Sequence, residues 1–153
     1  MIKQDSEFRQ ALSVLSRLQQ RQIGSQFIER VLPQYPDATL SKLLALAQQT
    51  DAAELELAAA TKTAKSLALD KHTRCGAEGD WQAQASYFLA RATSELFAPS
   101  KPSQLPAWEA ALNVRLACTC GSIEQAHDTM HDESAAQYQL LTDYLAREES
   151  RHD

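Results

Sequence analysis

Glycine and proline are scarce in this chain of 153 residues, which contains four glycines and five prolines. A protein built mainly from β-strands needs more turn residues than this. Alanine, leucine, glutamine and glutamate predominate instead, and these residues lose little conformational freedom in a helix. We therefore predict one all-α domain over residues 1–153, with residues 146–153 as a frayed tail.

Long apolar runs and basic runs are also missing. No stretch of about 18 apolar residues is present to cross a membrane, and the first ten residues lack the apolar region of a signal peptide. The net charge of −5 argues against nucleic-acid binding, which depends on neutralising phosphates. Three cysteines, an odd number, do not suggest a disulfide framework. These absences predict a cytoplasmic protein that binds neither membrane nor nucleic acid.

The spacing of apolar residues predicts about seven helices. We expect the first helix, capped by Ser6, to end near Gln19 or Gln20. Asp37 and Asp80 are expected to cap the third and fifth helices, and Ser134 with Gln137 forms a capping-box pattern at the start of the seventh.

The fifth and sixth helices are predicted to form a central antiparallel pair. Their first residues include Trp81 and Trp108 on the apolar stripes, so both indoles are expected to be largely buried. The sixth helix, predicted over residues 107–126, has small residues on most sides and carries the main candidate site residue.

Arg115 lies in the middle of the apolar face of this sixth helix. Its stem could pack on the core while the guanidinium reaches water. It could instead form a buried ion pair, for which Glu95 at the border of the fifth helix's stripe is the expected partner. A third interpretation is a pocket in which Arg115 binds an anion. Arg115 and Glu95 are therefore the predicted binding residues.

Cys118, Cys120, His127 and His131 have a spacing that resembles a zinc site. On a continuous helix, however, residues two apart point about 200° from each other, and Cys120 lies about 10 Å along the axis from His127. Zinc ligands at about 2.0–2.3 Å cannot span that distance. We predict no cofactor, with zinc or iron held by His127, His131 and Cys120 as the alternative. Cys118 is expected to face the core and Cys120 the flank.

No catalytic residue is predicted, because no serine or cysteine lies in a recognisable nucleophile motif such as G-x-S-x-G. The segment FIERVLPQYPD, from Phe27 to Asp37, resembles the E-R-x-L-P-x-Y segment of uncharacterised all-α bacterial families. One of these is described as immunity proteins for polymorphic toxins. The helix from Ala107 is more loosely similar. The resemblance implies a cytosolic helical protein that binds another protein and has no active site.

The favoured function is that of a non-enzymatic interaction protein of the immunity type. Its acidic balance suits a basic protein partner, and a second copy of the chain, giving a homodimer, is the other partner considered. The alternative function is a metal-binding or enzymatic helical bundle that uses the region from Cys118 to Asp132.

Overall fold

The computed structural model of the chain describes residues 1–75, 80–99, 101–125 and 130–152, with the backbone alone for residues 74–75, 122–125, 130–131 and 152. These residues form seven α-helices and one short 3-10 helix and include no strand, which confirms the all-α class. The buried apolar side chains form one continuous core. The helices are α1 (Asp5–Ser13), α2 (Arg17–Val31), α3 (Ala38–Gln48), α4 (Glu54–Cys75), α5 (Trp81–Leu96), α6 (Pro106–Gln125) and α7 (Met130–His152), with the 3-10 helix at Leu32–Gln34.

The break between the first two helices falls earlier than predicted. Ser16 caps α2 through a capping box, in which its hydroxyl accepts from the backbone N–H of Gln19 and the Gln19 side chain accepts from the backbone N–H of Ser16. This reciprocal pair satisfies two backbone donors at the start of a helix. The predicted end near Gln19 or Gln20 is therefore wrong. The Ser6 cap is wrong as well, because Gln4 holds the N-cap position of α1.

The predicted caps of α3 and α5 are confirmed. The Asp37 carboxylate accepts from the backbone N–H of Leu40, and the Asp80 carboxylate accepts from those of Gln82 and Ala83. Helix α7 differs from the prediction because it already begins at Met130, which places Ser134 inside the helix rather than at its cap. It also continues to His152, where the sequence predicted a frayed tail.

Helices α5 and α6 share the largest interface between two helices in the described part of the chain. Leu96 at the end of α5 and Ala107 at the start of α6 both contact Gly24 of α2, so the two helices run antiparallel, as predicted. Helix α6 also packs on α2, α7 and α1. It is buried on several sides, and this explains why its sequence has small residues nearly all round.

Two polar side chains of α2 form hydrogen bonds with backbone groups at the ends of other helices. Gln20 is fully buried; its Nε2 donates to the carbonyl oxygen of Leu12 at 2.5 Å, and its Oε1 accepts from the backbone N–H of Ala107 at 3.0 Å. Arg21 donates to the carbonyl oxygens of Ala47 and Gln49, near the end of α3. Helix ends leave such groups without partners in the helix itself, so α2 holds the ends of three neighbours in place.

The two tryptophans differ in burial. Trp81 is 38% exposed, so its predicted burial is wrong. Trp108 is partly buried and packs against the core, with its ring 6.0 Å from that of Phe8. No helix among the described residues is both long and apolar enough to cross a bilayer.

Candidate functional site

Arg115 is almost fully buried in the middle of α6, with 7% of the residue exposed. Its guanidinium forms a bidentate pair with Asp5, with Nη1 2.9 Å from Oδ2 and Nη2 2.9 Å from Oδ1. Its Nε donates to Oε1 of Gln137 at 2.9 Å. Each guanidinium nitrogen thus donates to an acceptor of the chain itself, and the planar fork is matched to a carboxylate.

The predicted pair of Arg115 with Glu95 is therefore wrong, although Arg115 does form an ion pair, in which its own guanidinium is buried and the Asp5 carboxylate is about half exposed. The guanidinium does not reach water as the first interpretation required. The helical wheel placed Arg115 on an apolar face, and that face is covered by α1 and α7 rather than by the part of α5 that carries Glu95. Asp5 is the partner because it lies in the first turn of α1.

Three aromatic rings surround the Arg115 guanidinium. Its central carbon lies 5.8 Å, 5.6 Å and 6.0 Å from the ring centroids of Phe8, Trp108 and Tyr138, within the range of a cation–π contact. The Tyr138 hydroxyl also donates to Oδ1 of Asp5 at 2.6 Å. The hydrogen bonds from Arg115 and Tyr138 lower the pKa of Asp5 below its ordinary value, although partial burial opposes them.

A chain of polar side chains continues from Arg115 across the bundle. The Nε2 of Gln137 donates to the carbonyl oxygen of Ala111 at 3.1 Å and to Oε1 of Glu133 at 3.2 Å. Glu133 is only 2% exposed and forms an ion pair with Arg30 of α2. Buried charges are costly unless they are paired. The two buried charges here, on Arg115 and Glu133, are each paired. The three residues in the middle of this set are buried and the two at its ends, Asp5 and Arg30, are exposed; we call it the polar network: Asp5, Arg115, Gln137, Glu133 and Arg30.

Glu95 lies in a groove between α4 and α5. The groove has a volume of about 300 Å³, and Gln104 donates to Glu95 across 3.5 Å at its edge. Burial raises the pKa of Glu95, and the negative charge of Glu109 adds to that effect. We call this the α4–α5 groove; it is lined by Lys65, Ala68, Leu69, His72, Tyr87, Arg91, Ser94 and Glu95.

The predicted metal ligands fall largely outside the described part of the chain. His127 is not described, and of His131 only the backbone is described. Among the residues that the structure does describe, no three His, Cys, Asp or Glu side chains are grouped closely enough to hold a metal. The two thiols of α6 are placed opposite to the prediction: Cys120 is buried and Cys118 is partly exposed, because α6 is also covered on the side that the wheel assigned to the flank.

A shallow pocket of about 390 Å³ lies at the turn between α2 and α3. Pro33 and Pro36 end α2 and direct the chain into the 3-10 helix and then α3, which brings the side chains of both helices to one surface. The sequence identified the segment from Phe27 to Asp37 but did not predict this pocket. The two prolines three residues apart were a signal for such a turn. We call it the elbow pocket; it is lined by Glu29, Leu32, Pro33, Pro36, Asp37, Ala38 and Ser41.

The two carboxylates of the elbow pocket differ in their partners. Asp37 accepts from the backbone N–H of Leu40 at 3.0 Å and pairs with Lys71 at 3.1 Å. Glu29 is exposed, desolvation of its carboxylate by the neighbouring residues raises its pKa, and no cation of the described residues forms an ion pair with it. Glu29 therefore presents an uncompensated charge beside an apolar surface.

Comparison with family models, with curated protein sequences and with solved structures finds no match for this chain.

Proposed function

We propose that this chain is a non-enzymatic, cytoplasmic protein that acts by binding a basic protein partner at the elbow pocket. The observation that carries this proposal is Glu29, an exposed carboxylate that lines a mainly apolar pocket and has no counter-charge in the described part of the chain. Partial removal of a carboxylate from water has a free-energy cost. A lysine or arginine of a partner would offset that cost.

The shape of the elbow pocket suits a long basic side chain. The aliphatic stem of a lysine or arginine can pack on Leu32, Pro33 and Pro36 while the charged end meets Glu29. The net charge of −5 would favour the approach of a basic protein. An immunity-like role, in which the partner is a toxin, is favoured by the resemblance of the segment from Phe27 to Asp37 to immunity-protein families.

Binding can be tested with two matched variants that each remove one negative charge. Glu29→Gln alters the elbow pocket, whereas Glu149→Gln alters an exposed carboxylate of α7. The wild-type chain is immobilised, proteins retained from cells of its source are identified by mass spectrometry, and the affinity of the purified partner is measured by calorimetry. We expect a basic partner, about tenfold weaker binding with Glu29→Gln, equivalent to about 1.4 kcal/mol, and unchanged binding with Glu149→Gln.

Several results would contradict this function. Equal retention by both variants would place the contact elsewhere. A dimer of the chain that Glu29→Gln dissociates would make a second copy the partner. Stoichiometric zinc or iron in the purified protein would favour the metal-binding alternative in the region from Cys118 to Asp132.

A further inference from the structure

The α4–α5 groove is built from two facing helical stripes. Lys65, Leu69 and His72 are spaced four and three residues apart on α4, so they lie on one face of that helix. Tyr87 and Arg91, four residues apart on α5, line the opposite wall. Helices α4 and α5 pack extensively against each other, and the groove follows this contact on its solvent side.

Two cations and one carboxylate line the groove. Lys65 and Arg91 are exposed, and neither forms an ion pair with any described residue. Among the described residues that line the groove, Glu95 is the only one with a carboxylate. Two cations therefore line the groove beside one partly buried carboxylate, Glu95, with which both interact and near which Glu109 adds a second negative charge.

The groove also offers an apolar and aromatic surface beside these cations. Leu69 is 67% exposed. The ring of Tyr87 lies 5.1 Å from that of His72 and 5.1 Å from that of Phe88, which fixes its orientation. A flat apolar group placed here would cover Leu69 and contact the Tyr87 ring.

We propose that the α4–α5 groove binds a small aromatic anion, a class of ligand independent of the basic partner of the elbow pocket. Arg91 and Lys65 hold its carboxylate or phosphate, since a guanidinium fork and an ammonium both bind such groups. Tyr87 and Leu69 contact its ring. The volume of about 300 Å³ lies at the lower end of the range for small-molecule sites, about 300–1,000 Å³.

The proposal can be tested with phenyl phosphate, benzoate and inorganic phosphate as probes. Each is titrated into the purified protein at low salt, and binding is followed by calorimetry and by amide chemical shifts. We expect saturable binding of at least one aromatic anion, with inorganic phosphate bound about fivefold more weakly than phenyl phosphate because it lacks a ring. Stronger binding of benzoate or of phenyl phosphate identifies the anionic group that the groove prefers.

Three variants separate the roles of charge and ring. Arg91→Gln should weaken the binding of every probe about fivefold or more. Tyr87→Leu should mainly reduce the difference in affinity between phenyl phosphate and inorganic phosphate. Lys62→Gln is the matched control, because Lys62 is an exposed lysine of α4 that does not line this groove. Circular dichroism confirms that each variant folds.

Two results would overturn the proposal. One is the absence of saturable binding of either aromatic anion up to about 10 mM, a concentration that corresponds to a binding free energy of only about 3 kcal/mol. The other is a loss of affinity in Lys62→Gln equal to that in Arg91→Gln, which would show that the probes respond to overall charge rather than to the groove.

Discussion

Asp5 and Arg115 are 110 positions apart in the sequence, and each oxygen of the Asp5 carboxylate accepts from a different nitrogen of the Arg115 guanidinium at 2.9 Å. The pair joins the first turn of α1 to the middle of α6 on a face that also carries Phe8, Trp108 and Tyr138. Asp5 keeps 48% of its side chain exposed, whereas Arg115 is buried. Water can still solvate the Asp5 carboxylate, whereas the buried Arg115 guanidinium needs Asp5 to compensate its charge.

A double-mutant cycle should identify Asp5 as the acid that stabilises Arg115. Asp5→Asn should lower the free energy of unfolding by about 2 kcal/mol, since it removes charge-assisted hydrogen bonds. Combined with Arg115→Met, it should show a coupling energy of about 1 kcal/mol or more in urea unfolding. Glu95→Gln with Arg115→Met is the control and should be additive within about 0.5 kcal/mol. Coupling to Glu95 and not to Asp5 would contradict the observed pairing.

The same pair should make stability depend on acid pH. The pKa of Asp5 is lowered in the folded state, so the folded chain binds a proton at this site less readily than the unfolded chain. The stability that Asp5 contributes is complete above its unfolded pKa of about 3.9 and is lost as pH falls through the lower folded value. The difference in unfolding free energy between wild type and Asp5→Asn should therefore shrink below about pH 4.

Arg115→Met provides the control for this pH dependence. It removes the largest cause of the lowered pKa of Asp5. In its background, the effect of Asp5→Asn should vary much less between pH 2 and pH 7, as measured by thermal or urea unfolding. An unchanged pH dependence would mean that another group is responsible.

The sequence was a better guide to the apolar face of a helix than to the side chains of other helices that contact that face. Arg115 was correctly placed on a covered face, but periodicity contains no information on the helix that covers it, and Asp5 lies far away in sequence. Ser16 and Ser134 illustrate the same limit for local motifs. Each is followed by glutamine three residues later, yet only Ser16 caps a helix. The Gln137 side chain is engaged with Arg115 and Glu133 instead.

The two thiols of α6 should react in the order opposite to that predicted from the helical wheel. Cys118 is partly exposed and Cys120 is buried, so a thiol reagent should modify Cys118 first in the native protein, slowly because burial raises the pKa of its thiol and the thiolate is the reactive form. Peptide mapping after timed labelling in a Cys75→Ser background measures both rates. Faster modification of Cys120 would contradict the observed burial.

Gly24 should not tolerate a side chain, although alanine normally stabilises a helix by about 1 kcal/mol relative to glycine. A Cβ atom at Gly24 would overlap Cδ2 of Leu96 and approach Cα of Ala107 to 3.5 Å. We expect Gly24→Ala to lower the free energy of unfolding by about 1–3 kcal/mol, as overpacking does. Chemical denaturation measures this loss.

Gly121→Ala is the matched control for Gly24→Ala. Its Cβ would meet the Tyr35 hydroxyl at 2.5 Å, which is the far end of a side chain that can move. We therefore expect a smaller loss than at Gly24. A Gly24→Ala variant as stable as the wild type would show that the Leu96 side chain of α5 can move aside at no cost.

The amide of Gln20 has a consequence for how this chain can change during evolution. Its Nε2 donates to the Leu12 carbonyl at the end of α1, which also accepts from the backbone N–H of Leu15, and its Oε1 accepts from an N–H at the start of α6 that has no acceptor within that helix. Asparagine has the same chemistry but is one methylene shorter, and leucine has a similar size but no polar atoms, so neither replaces both contacts. Position 20 should therefore diverge slowly among descendants of this sequence, since a change there requires compensating changes in two other helices.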